Sequence, residues 1–193
     1  MGVVAELLRR KRDPWGCLIS NQVTIRRASV MDAEDLHGYL EALVAERVPT
    51  LFERTTPPSV AEERAFLQSL QESEGSFALV AENHEGDIVG MLDVQRHKRQ
   101  EMAHGAVFGM SVARRWRGCG IGHRLLAEML EVLKREAIIS RIELEVFSNN
   151  PAIRLYQRFG FREEGRRRGA VIVGGEAVDI VLMARCVDET RKP

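Results

Sequence analysis

The sequence predicts an α/β fold in which a mixed central sheet carries helices on both faces. Its 193 residues are enough for one domain with a well-buried core. Its hydrophobic fraction of 45% and charged fraction of 29% are ordinary for a globular protein. Stretches of strand-like alternation and of helical spacing follow one another along the chain. The predicted order of elements is β-α-α-β-β-β-α-β-α-β-β.

The predicted domain spans residues 22–187. Pro14 and Gly16 interrupt the basic stretch before it, so we expect residues 1–21 to form a flexible extension. Residues 188–193 follow the last strand and are expected to form a short tail.

Helix-start signals place the first two helices. The first runs from Asp35 to about Glu46, and either Ser29 or Asp32 can cap it. The second starts at Ser59, where Glu62 completes a capping box.

Alternating apolar residues predict seven strands, and turn residues join four of them into two hairpins. The turns are Asn83–Gly86 and Gly174–Gly175. The predicted strands are 23–26, 76–82, 87–94, 104–112, 141–147, 161–169 and 177–186.

A basic, glycine-rich segment separates the fourth strand from the third helix. Gly118, Gly120 and Gly122 occupy alternate positions, so backbone N–H groups and the positive helix N-terminus can surround a phosphate. The segment lacks the Lys-Ser/Thr ending of a P-loop, and a dinucleotide fingerprint requires a third glycine at His123. With Arg117, the spacing is R-x-x-G-x-G.

A second motif starts about 30 residues downstream and reads N-x-x-A-I-x-L-Y-x-x-x-G-F from Asn149 to Phe161. Asn150 is expected to cap a helix that begins at Pro151 and stops at Gly160. The two motifs, in this order and at this distance, resemble the GCN5-related N-acetyltransferase superfamily. The resemblance extends from about residue 23 to residue 186.

That resemblance implies an acetyl-CoA-dependent N-acetyltransferase that acts on a primary amine in a ternary complex. The segment 160–166 is similar to the bacterial branch that acetylates small amines or protein N-termini. In the family, the strand before the glycine loop pairs with the pantetheine arm and the loop holds the pyrophosphate. The implied acetyl-CoA-binding residues are Met110, Ser111, Val112, Arg117, Gly118, Cys119, Gly120, Ile121, Gly122, His123, Asn149, Ala152 and Tyr156.

The family also implies where the acceptor binds. The loop between the first two helices, Val48 to Pro58, and the final hairpin are expected to shape the pocket. Pairing of two copies into a homodimer through the last strands is common in the family.

Tyr156 is the implied proton donor to the leaving thiolate. A phenol, with a reference pKa of about 10, can donate to a thiolate whose acid has a pKa of about 8.5. By spacing alone, Tyr156 also belongs to the apolar face of its helix, which is the pattern of a core tyrosine.

The sequence does not identify the general base. Some branches of the family carry a catalytic Glu on the strand before the glycine loop, and residues 105–111 contain no carboxylate. His104, Asp93 and Glu145 are the candidates, with deprotonation through water as an equal alternative. Asp179, in an apolar strand, either holds the arginines of the last hairpin or reaches the acceptor amine.

Composition excludes several other classes. A formal net charge of zero argues against a nucleic-acid or membrane-surface role. The three scattered cysteines have neither metal-site nor disulfide spacing, which favours a reducing cytoplasm and no metal. The remaining alternative is a catalytically silent acyl-CoA sensor with the same fold, against which the presence of Tyr156 argues.

Overall fold

The computed structural model describes residues 23–46 and 56–187. Its elements follow the predicted order, which confirms the α/β assignment. The predicted extension, the predicted tail and most of the loop from Val48 to Pro58 lie outside the described residues. The strands are β1 (Thr24–Arg27), β2 (Phe77–Glu82), β3 (Ile88–Arg96), β4 (Gly105–Val112), β5 (Arg141–Phe147), β6 (Arg162–Val173) and β7 (Glu176–Cys186). The helices are α1 (Ala33–Ala45), α2 (Val60–Glu72), α3 (Ile121–Glu136) and α4 (Ile153–Arg158).

The strands form one sheet in the order β1-β2-β3-β4-β5-β7-β6. β4 and β5 run parallel, and the other neighbouring pairs are antiparallel, so the sheet is mixed as predicted. The parallel pair is possible because α3 crosses over between β4 and β5.

Helices cover the two faces of the sheet unequally. On one face, which we call the α3–α4 face, the apolar stripe of α3 is fully buried against the sheet, and Leu125, Leu126 and Met129 have no exposed surface. Burial of each such side chain stabilises the fold by about 1.5–3 kcal/mol. The opposite α1–α2 face is covered over β2 and β3, where Leu36 and Leu67 pack on Val80. Toward β5 and β7, this face carries a smaller apolar cluster around Phe147.

Asp32 ties β1 to the start of α1. Its carboxylate accepts hydrogen bonds from Arg26 Nη2 at 2.6 Å and from the Ser29 backbone N–H at 2.7 Å. Burial raises the pKa of Asp32, but the hydrogen bonds from Arg26 and Ser29 outweigh burial and hold this pKa below its usual value.

We expect Asp32→Asn to lower the free energy of unfolding by about 1–2 kcal/mol at neutral pH, because a charge-assisted pair is lost. The folded pKa lies below the unfolded value of about 3.9, so this contribution is complete above about pH 4 and is lost as the pH falls through the folded pKa. Denaturant unfolding at about pH 7 and about pH 3 should therefore show a smaller difference between the two proteins at the lower pH. Equal differences would contradict this assignment.

Two boundaries differ from the sequence prediction. α4 begins at Ile153 rather than Pro151, because Asn150 Oδ1 accepts the Ala152 N–H at 2.9 Å and forms a turn before the helix. β6 continues to Val173 instead of ending near Gly169. An irregularity in the β6–β7 register makes this possible, and Asp179 Oδ1 accepts the Gly169 N–H there at 2.9 Å. Asp179 Oδ2 also lies 3.6 Å from Arg166 Nη1, which is the contact with the hairpin arginines that was one of its two alternatives.

No helix within the described ranges is long and apolar enough to span a bilayer.

Candidate active site

A gap opens between β4 and β5 in the middle of the sheet. The two strands pair only from Gly105–Val107 to Arg141–Glu143, and then separate. Beyond Val107, the recorded partner of β4 is β3, so within the described part of the chain its other edge is unpaired. Such an edge offers backbone hydrogen-bonding groups to an extended ligand. Met110, Ser111 and Val112 lie on it, where the pantetheine arm was expected.

The glycine loop closes the end of this gap. Gly118 and Gly120 have φ of +75° and +79°, left-handed conformations that favour glycine, and α3 begins directly after Gly120. The first N–H groups of α3 have no carbonyl one turn earlier to bond with, as at any helix start. Alternating backbone handedness followed by a helix N-terminus is an arrangement that surrounds an anion.

Gly122 lies where α3 contacts both β4 and α4. A Cβ at this position would lie 3.4 Å from Leu155 Cδ2 and 3.4 Å from Met110 Cε, which is the short end of ordinary van der Waals contact. At the next residue of α3, the His123 ring lies 4.8 Å from the ring of Phe159, which directly follows α4.

Tyr156 lies beneath the gap on the α3–α4 face. Its ring packs edge-on against Phe108 of β4 with 5.8 Å between ring centroids, and only 6% of the residue is exposed. Within residues 23–46 and 56–187, no hydrogen bond to its hydroxyl group is recorded. Burial raises the pKa of Tyr156 to about 12, so the phenol is protonated at neutral pH.

The Acetyltransferase (GNAT) family model matches residues 40–161. The chain belongs to this family. It is 39% identical over 102 residues to the L-amino acid N-acetyltransferase AaaT of Escherichia coli K12, over 52% of this chain and 63% of that protein. The match thus spans less than two thirds of that relative.

Solved GNAT structures share the fold. The acetyltransferase of the GNAT family from Streptococcus pneumoniae is 26% identical, with a TM-score of 0.79 over 85% of this chain and 99% of that one. The yncA protein of Salmonella typhimurium, solved with its cofactor acetyl-CoA, is 20% identical, with a TM-score of 0.78 over 90% and 98% of the two chains. At that identity, the second match shows the fold alone.

The GNAT signature residues lie around one gap, but Arg117 has a partner of its own. Its guanidinium binds the Glu46 carboxylate and donates from Nε to the Val112 carbonyl oxygen at 2.8 Å. Glu46 also accepts the Arg114 N–H at 2.9 Å. Arg117 therefore fixes the shape of the glycine loop in this structure, and its role toward pyrophosphate stays a prediction.

The remaining residues predicted to contact the cofactor lie in two places, the turn after β5 and the glycine loop itself. Asn149 is exposed in the turn after β5, and Ala152 precedes α4. Cys119 and Ile121, on either side of Gly120, have buried side chains. Contact of these residues with acetyl-CoA is likewise still a prediction.

Two of the three candidate bases, His104 and Glu145, differ in position. His104 is exposed and precedes β4 at the end away from the glycine loop, on the order of 25 Å along the strand. Glu145 lies on β5 just beyond the β4–β5 pairing, where Arg167 holds both carboxylate oxygens at 2.7 and 3.0 Å.

Sequence reasoning missed Glu46 and the hydroxyl of Tyr39. Tyr39 bonds Ser111 Oγ at 2.8 Å, so α1 is fastened to β4 as well as to the loop. One signal for Glu46 was available. An acidic residue at a helix C-terminus interacts unfavourably with the helix dipole, so a cationic partner is expected. Tyr39 gave no such signal, because it fits the apolar face of α1.

Proposed function

We propose that this chain is an N-acetyltransferase that moves the acetyl group of acetyl-CoA to a primary amine by direct attack in a ternary complex. The observation that carries the proposal is the convergence of three features on one gap. These are the glycine loop at the start of α3, the unpaired edge of β4, and the buried phenol of Tyr156 against Phe108.

The chain's residues fit acetyl-CoA in shape and charge. A side chain at Gly118 would meet no heavy atom within 4 Å, so the loop is open on that side to a diphosphate. Exposed Arg114 and Arg115 beside the loop add positive charge. The edge from Met110 to Val112 can bond an extended arm, as an added strand does.

The bound thioester supplies an activated acetyl group, and the protein positions the groups around it. Tyr156 donates its phenolic proton toward the leaving sulfur. Its pKa of about 12 lies well above that of a free thiol in water, so burial makes the donor weaker than the sequence implied. Burial raises the pKa of a thiol as well, so the pKa values of the two groups differ less inside the site than the value for a thiol in water suggests.

L-Amino acids are the first acceptor class to test, because the E. coli relative is named for them. Polyamines and peptide N-termini follow from the bacterial branch that residues 160–166 resemble. We also propose a cytoplasmic location, from the scattered cysteines, and a homodimer through the last strands, where β6 forms the edge of the sheet.

The direct test measures thiol release from acetyl-CoA with each L-amino acid, with spermidine and with a short peptide, and identifies products by mass. Acceptor-dependent release with one acetyl group on the amine supports the proposal. Tight acetyl-CoA binding measured by calorimetry, with no release for any acceptor, would instead support the acyl-CoA sensor.

A further inference from the structure

Asp93 of β3 carries a carboxylate that the rest of the described structure leaves without a cation. Its recorded side-chain partner is the neutral amide of Gln95, which donates to Oδ2 at 2.7 Å. Asp93 is half-buried, and a carboxylate withdrawn from water is normally paired with a positive group. Burial raises the pKa of Asp93, which the hydrogen bond from Gln95 lowers only in part.

The carboxylate leans over the neighbouring strand. Asp93 pairs with Gly109 of β4, and a Cβ built on Gly109 would lie 3.1 Å from Asp93 Oδ1. The carboxylate therefore occupies the space that a side chain of residue 109 would take. This space lies on the α1–α2 face, since Phe108 and Met110, which flank Gly109, pack into the core of the α3–α4 face.

Gly109 also marks the edge of the gap. β4 and β5 last pair at Val107 and Glu143, two residues before Gly109. Continued in register, the parallel pairing would place Gly109 opposite Glu145. Asp93 thus stands at the β4 side of the opening, where the proposed function requires an amine to meet the acetyl group.

The described carboxylates of the neighbouring strand β5 on this face are compensated. Glu145 is held by Arg167, and Glu143 is bound by Arg141 and His97. The register neighbours of Asp93 on either side, Ala78 of β2 and Gly109 of β4, carry no charge, and Ser111 further along β4 is bonded to Tyr39. Among the described carboxylates of β2 to β5 on this face, Asp93 is therefore the one with no recorded cationic partner.

We infer that the acceptor binds as its ammonium ion against Asp93 and that Asp93 Oδ1 removes the proton that frees the nitrogen for attack. This inference rests on the proposed function and gives it the general base that the sequence left open. A C–N bond forms and the C–S bond breaks, with the electron pair leaving on sulfur. The second N–H proton passes to water. Tyr156 gives its phenolic proton to the sulfur and regains one from water, and Asp93 releases its own proton to water, so one proton is released in each turnover.

The test uses Asp93→Asn in the full chain, with the best acceptor of the panel. At neutral pH, kcat/KM should fall about 100-fold or more, as expected for loss of a general base. The wild-type kcat/KM should be nearly flat from neutral pH up to the pKa of the acceptor amine. The variant should instead rise about tenfold per pH unit, because only the amine already neutral in solution can react.

Two further measurements separate this role from a structural one. Asp93→Asn should keep the wild-type Kd for acetyl-CoA within about twofold, and its Tm should be unchanged or higher because a half-buried charge without a cationic partner is removed. Gly109→Ala, which forces the carboxylate aside without removing it, should lower kcat and leave the Kd for acetyl-CoA intact. Asp87→Asn, in the β2–β3 turn, is the matched control and should have wild-type kinetics.

Distinct outcomes overturn the inference and the proposed function. Wild-type activity and a wild-type pH profile in Asp93→Asn would overturn the role of Asp93 alone, as would an equal fall at every pH with a lowered Tm. Should Asp93→Asn not fold, wild-type kinetics in Gly109→Ala would overturn it. Absence of acetyl transfer by the wild-type protein to any amine would overturn the proposed function, and this inference with it.

Discussion

Tyr156→Phe is expected to lower kcat by about 100-fold or more while leaving the Kd for acetyl-CoA unchanged within about twofold. The substitution removes the hydroxyl group that donates the proton and keeps the packing of the ring. Proton donors of this kind typically raise the rate 10²–10⁴-fold. Steady-state thiol release gives kcat, and calorimetry with acetyl-CoA gives the Kd. An unchanged kcat would show that Tyr156 takes no part in the chemistry and serves only in packing.

Stability offers a control for this variant within the same chain. The Tyr156 hydroxyl has no recorded partner among the described residues, so the Phe variant should be as stable as the wild type. Tyr39, the other tyrosine, bonds Ser111 at 2.8 Å, and Tyr39→Phe should lower the free energy of unfolding by about 1 kcal/mol. A destabilised Tyr156→Phe would mean that its lower rate reflects altered structure.

Gly118→Ala is expected to raise the Kd for acetyl-CoA about 5- to 30-fold. No atom obstructs the added methyl group, but φ is +75°, and a left-handed conformation costs an L-residue about 1–2 kcal/mol. The loop relieves this strain by turning its N–H groups away from the diphosphate. Calorimetric titration with acetyl-CoA, and with CoA as a second ligand, measures the change.

Gly86→Ala provides the matched control. Gly86 has φ of +93° and open space around its Cα, but it lies in the β2–β3 turn, away from the gap. Both variants should lose similar stability, and only Gly118→Ala should lose affinity. Gly118→Asn should recover much of the affinity, because Asn tolerates the left-handed region. Equal affinity of Gly118→Ala and the wild type would exclude the loop as the phosphate site.

The features predicted well from sequence are those that short-range chemistry determines. Glycine spacing located Gly118 and Gly120, and both have the left-handed backbone that such a loop needs. The capping box at Ser59 and the glycine stop at Gly160, with φ of +82°, also follow from neighbours in the chain. The order of strands and helices follows from hydrophobic period in the same way.

The features that sequence did not give depend on register and on contacts between distant residues. Glu46 meets Arg117 across 71 positions, and no local pattern relates the two. The placement of Asp93 over Gly109 depends on which residues of β3 and β4 face each other, and a shift by one residue would turn the carboxylate to the other face. The burial of Tyr156, which raises its pKa, depends on Phe108 of β4 and on Phe161, which immediately precedes β6.

The short pairing between β4 and β5 has a mechanical consequence. Three residue pairs join a half-sheet of β1 to β4 to a half-sheet of β5 to β7, so this seam is the weakest line through the backbone hydrogen bonds of the sheet. An acyl-CoA arm lying in the seam would connect the two half-sheets. Its binding should slow amide exchange along the seam and add about 2.7 kcal/mol to the free energy of unfolding at a hundredfold excess over Kd. The protein would then be most rigid when it is loaded for reaction.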